Sequence, residues 1–72
     1  MSDFPVGAIV QVVAAPPFLK TAETMPMLRP ANLIQVGEQG RIIDRHPAST
    51  YGVRFANGTF LIDAKYLTLT ES

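Results

Sequence analysis

Histidine occurs once in this 72-residue chain, at His46, and cysteine does not occur. A zinc-type centre draws several ligands from Cys, His and carboxylate side chains, so His46 in Arg45-His46-Pro47 has no set to join. Ser49 and Thr50 lie close by in sequence, but no glycine elbow and no third orienting group makes a nucleophile system of them. Asp44 and Asp63 could approach across a sheet, yet neither is set in a motif for acid–base work. Gly37-Glu38-Gln39-Gly40 lacks the spacing of a phosphate loop or a dinucleotide fingerprint, and no helical pattern follows to offer its N-terminus to an anion. Those glycines read as turn and bulge residues. Arg41, Arg45 and Arg54 could line one face as in barrels that track nucleic acid, but Glu38 and Asp44 interleave with them. The residues predict no catalytic, cofactor-binding or metal site, hence no enzyme.

Binding is the chemistry left, and it concentrates in Pro16 to Pro30, PPFLKTAETMPMLRP. Pro16, Pro17, Pro26 and Pro30 each fix φ, remove a donor and push the preceding residue out of the helical region. Connections beyond about 12 to 15 residues are uncommon unless functional or disordered. Methionine conforms to irregular partners, and arginine supplies planar donors at interface rims. Met25, Met27, Leu28 and Arg29 are therefore expected at the centre of a partner-binding surface, with Phe18, Leu19 and Lys20 beside them. An alternative role for Phe18 and Leu28 is to fold back and complete the core.

The elements that would carry this segment are strands. Ala8 to Ala14 is β-branched and apolar, and Arg41 to Arg45 forms a second run that Pro47 stops. Tyr51, Val53 and Phe55 alternate with Gly52 and Arg54, the period of two of a half-buried strand. Asn57-Gly58 then predicts a type I′ hairpin into Thr59 to Asp63. Asp63 is placed to cap a 3₁₀ turn at Ala64-Lys65-Tyr66, before Leu67 to Thr70 resumes the strand pattern. No stretch shows helical spacing over ten positions. The expected fold is all-β: a single SH3-like five-stranded barrel over residues 1–72, with a long loop after the first strand and a 3₁₀ turn before the last. An OB-like barrel and an open antiparallel sheet are the rival architectures.

Composition agrees with a small packed domain. Hydrophobic residues make up 47% and charged ones 17%, too apolar for disorder. At this size the net stability is expected to be about 4 to 10 kcal/mol. Six basic and six acidic residues cancel, so no net field gathers nucleic acid. No apolar run approaches the roughly 20 residues of a membrane helix, and MSDFPVG lacks the pattern of a leader. Together with the absent cysteine, this predicts a cytoplasmic chain without membrane insertion, most simply a monomer.

Ala15-Pro16-Pro17-Phe18-Leu19-Lys20-Thr21-Ala22, Met25-Pro26-Met27-Leu28-Arg29-Pro30, Val36 to Gly40, Gly52 to Phe55 and Gly58 to Ile62 resemble the SipA family of cyanobacteria. The most specific part is KTAETMPMLRP. The resemblance implies an SH3-like barrel without enzymatic activity that binds the ATP-binding catalytic region of the sensor histidine kinase NblS and promotes its autophosphorylation. That would place it in two-component stress and high-light signalling. The same resemblance links related plant proteins to assembly of the chloroplast NAD(P)H dehydrogenase complex. It maps no contact residues, so the assignment of the surface to Pro16 to Pro30 rests on side-chain chemistry alone.

Overall fold

The computed structural model describes residues 4–17, 19–21, 28–29 and 33–70, and of Arg29 the backbone alone. Among the described residues the chain forms β1 (Ile9–Val12), β2 (Leu19–Thr21), β3 (Leu28–Arg29), β4 (Gln39–His46), β5 (Thr50–Phe55) and β6 (Gly58–Asp63). A 3₁₀ turn over Ala64–Tyr66 and β7 (Leu67–Leu69) complete it. These strands make one antiparallel seven-stranded sheet in the order β3-β2-β6-β5-β4-β1-β7.

The sheet has a single core. Val10 and Val12 of β1, Leu19 of β2, Ile42 of β4, Tyr51, Val53 and Phe55 of β5, Phe60 and Ile62 of β6 and Leu67 of β7 form one buried cluster with Phe4 and Ile34. Six strands can feed one cluster only if the sheet coils around it, leaving the alternate residues outside. A β-bulge helps. The register of β4 on β5 shifts between Ile42 and Asp44, and Ile43 falls in the gap. A bulge bends its strand and raises the local twist. Before it, Gly40 and Ile42 face the core; after it, Asp44, Arg45 and His46 are all exposed. The N-terminal segment closes one end: the Phe4 ring lies 5.1 Å from that of Tyr51, and the Phe4 N–H donates to the Tyr51 hydroxyl at 3.2 Å.

Three expectations change. The fold is all-β, but no ladder joins β3 to β7 among the described residues, so the sheet is open where a five-stranded barrel was expected. The extra strands lie in the stretch read as a long loop. β2 follows Pro16 and Pro17 and pairs with the β6 edge through Lys20 and Leu61 and through Thr21 and Phe60. Its hydrogen bonds go to a partner some forty residues away, which local patterning does not report.

The second change concerns Asn57-Gly58. Phe55 pairs with Gly58, so Ala56 and Asn57 make the turn. Gly58 has φ +133°, while among the described residues the non-glycine positions with positive φ are Ala48 and Ser49. The hairpin is present, but not as a type I′ turn centred on Asn57-Gly58. Instead the Asn57 side-chain amide donates to the Leu33 carbonyl at 2.7 Å and ties the turn to a distant segment. The third change is Gly40, which is a buried strand residue opposite Val10 and not a turn residue. By contrast, the Asp63 carboxylate accepts from the Lys65 N–H at 3.0 Å and caps the 3₁₀ turn as its position predicts.

Candidate functional site

The strand β2 divides the expected contact residues between two faces. Leu19 is 0% exposed and belongs to the core, so it is not part of an exposed surface. The cause is its position in an inward register, opposite the backbone of Arg29 and one residue before the ladder to β6. Lys20 points the other way, flanked by Leu28 and Leu61 on the neighbouring strands. Leu28 is 67% exposed, which decides its role against completing the core. Arg29 contributes its backbone to β3. Phe18, Met25 and Met27 lie outside the described residues.

Beside Lys20 the outer face forms a cleft of about 230 Å³. Pro16 and Pro17 line it from before β2, Thr50 from the start of β5, Leu61, Ile62 and Asp63 from β6, and Tyr66 from the 3₁₀ turn. The volume is below the roughly 300 to 1,000 Å³ of small-molecule sites. Its chemistry is that of an apolar seat with a charged rim. Proline rings and the tyrosine ring offer rigid apolar area that loses little freedom on contact. The Lys65 ammonium stands 5.2 Å from the centroid of the Tyr66 ring, and the Asp63 carboxylate is held by its bond to the turn.

Tyr66 and Leu61 were not among the expected contact residues, although both carried a signal. Leu61 is the outward member of the alternation Phe60, Leu61, Ile62, and Tyr66 follows the Asp63 cap by three positions. Elsewhere, His46 Nε2 lies 3.6 Å from Asp44 Oδ2 at the exposed end of β4. Among the described residues, no group of three or more His, Cys, Asp or Glu is placed to hold a metal ion. No described helix is long and apolar enough to cross a membrane.

Residues 6–67 match the family model CRR42-like, Protein CHLORORESPIRATORY REDUCTION 42-like. The chain is also similar to the Arabidopsis thaliana protein described as Protein CHLORORESPIRATORY REDUCTION 42, chloroplastic, with 41% identity over 71 residues. That alignment covers 97% of this chain and 59% of the plant protein. The chain thus spans less than two thirds of that relative's length. No solved structure matches the chain.

Proposed function

The chain belongs to the CRR42-like family, and from that premise we propose that it is a non-enzymatic accessory or assembly factor of a photosynthetic NAD(P)H dehydrogenase or a related electron-transfer complex. The observation that carries this reading is 41% identity along nearly the entire chain to a plant protein named for chlororespiratory reduction. The family is described in those terms and not as SipA, so the reading as a regulator of the kinase NblS is left with the sequence resemblance alone. The order of elements supports an SH3-like assignment: an early hairpin, a three-strand meander, a 3₁₀ turn and a short last strand. In this reading the chain acts as a cytoplasmic monomer, and its tool is surface.

The cleft beside Lys20 is the contact site we assign to that role. An apolar side chain of the partner enters between Pro17, Leu61 and Tyr66, and an acidic neighbour meets Lys20. A tagged chain is expected to retain dehydrogenase subunits from solubilised photosynthetic membranes, and Lys20→Glu combined with Leu61→Gln should reduce that recovery at least tenfold. Recovery of a sensor histidine kinase in place of dehydrogenase subunits would remove this reading.

A further inference from the structure

Arg41 and Arg54 stand directly opposite each other on β4 and β5. Both are exposed, and both lie on the outer face, since Gly40 and Ile42 beside Arg41 and Val53 and Phe55 beside Arg54 are buried. Directly opposed residues have Cβ atoms only about 4.5 to 5.5 Å apart, and like charges on such a pair are destabilising. Neither guanidinium has a hydrogen bond or ion pair among the described residues.

No carboxylate of the sheet answers them. Asp44, next in line on the outer face of β4, is turned away: one oxygen accepts from the Arg45 N–H at 2.8 Å and the other lies 3.6 Å from His46. Arg45 is opposite Tyr51 and so does not extend the pair on this face. The cross-strand neighbours are uncharged, with Ile9 opposite Arg41 on β1 and Thr59 opposite Arg54 on β6. A pair that repels internally and has no counter-charge among the described residues is stabilised when anionic oxygens arrive from outside.

We propose that the Arg41–Arg54 pair is a receiving site for an acidic segment of a protein partner, with carboxylates bridging the two guanidinium groups. Planar guanidinium donors match carboxylate geometry in a fork that lysine does not provide. Two basic side chains are directly opposed here, which suits a pair of carboxylates better than the repeating phosphates of a nucleic acid. The proposal rests on reading the chain as a protein-contact module, but its test uses no dehydrogenase complex and so can fail separately.

The test is a titration of the ¹⁵N-labelled chain with a hexaglutamate peptide, following the arginine side-chain Nε–H signals, with hexathymidylate in parallel. The Arg41 and Arg54 signals should shift together and saturate while those of Arg45 stay in place. Arg41→Gln with Arg54→Gln should weaken binding at least tenfold while the melting temperature holds or rises, because the repulsion is gone. If that pair fails to fold, Arg54→Gln alone carries the comparison and should weaken binding at least threefold. Equal shifts at all arginines, tighter binding of hexathymidylate, or undiminished hexaglutamate binding by the variant would overturn the assignment.

Discussion

A methyl group added at Gly40 has nowhere to go. An ideal Cβ there would lie 2.7 Å from Val53 Cγ1 and 2.8 and 2.9 Å from two ring carbons of Phe55. Carbon atoms prefer about 3.5 to 4.0 Å, so each contact is short by roughly 1 Å. Val53 and Phe55 are 0% and 5% exposed, which leaves them little room to retreat. Overpacking of this kind costs about 1 to 3 kcal/mol, and replacing a strand glycine returns about 0.5 to 1 kcal/mol of backbone entropy. Gly40→Ala is expected to destabilise the fold by about 1 to 2 kcal/mol net. In a domain of this size that lowers the melting temperature by about 5 to 15 °C. Urea and thermal melts followed by circular dichroism measure it directly. Val53→Ala provides the control: it removes the closest obstructing carbon, so the double variant should be less destabilised than the sum of the singles by about 1 kcal/mol. Additive effects, or a melting temperature for Gly40→Ala at or above that of the parent, would refute the close-packing argument.

Two further perturbations separate local roles. Tyr51→Phe keeps the ring against Phe4 but removes the hydroxyl that accepts from the Phe4 N–H, and should cost about 1 to 2 kcal/mol in chemical denaturation. A melt indistinguishable from the parent would mean that the N-terminal segment is not held by this bond. Asn57→Ala removes the 2.7 Å bond to the Leu33 carbonyl and should cost about 1 kcal/mol while the amide exchange pattern of the β5–β6 hairpin is preserved. Collapse of the hairpin itself would show that Asn57 serves the turn conformation after all.

The parts of the fold that local chemistry decides were legible before any coordinates. Tyr51, Val53 and Phe55 alternate with Arg54 as a half-buried strand must, and the Asp63 cap follows from a carboxylate two residues before an N–H that needs an acceptor. What escaped depends on pairing at a distance. Leu19-Lys20-Thr21 is too short to show a period, and it becomes a strand because β6 offers an open edge. The same docking turns Leu19 inward and Lys20 outward, so the expected contact set divides between core and surface. Gly40 gave no local hint of its tight quarters, because the atoms that crowd it come from β5. The cleft is half legible: Pro16, Pro17 and Tyr66 each stand out in the sequence, but only the ladder between β2 and β6 gathers them around Lys20 and Leu61.

If the outer cleft beside Lys20 is where this chain meets its partner complex, binding should cover that cleft and spare the β1–β7 end of the sheet. Backbone amide exchange of the chain alone and with purified dehydrogenase complex tests it most directly. Added protection is expected at Lys20 and Thr21, around Thr50 and from Leu61 to Tyr66, with the β1–β7 ladder unchanged. Protection confined to β1 and β7, or none at saturating complex, would contradict it.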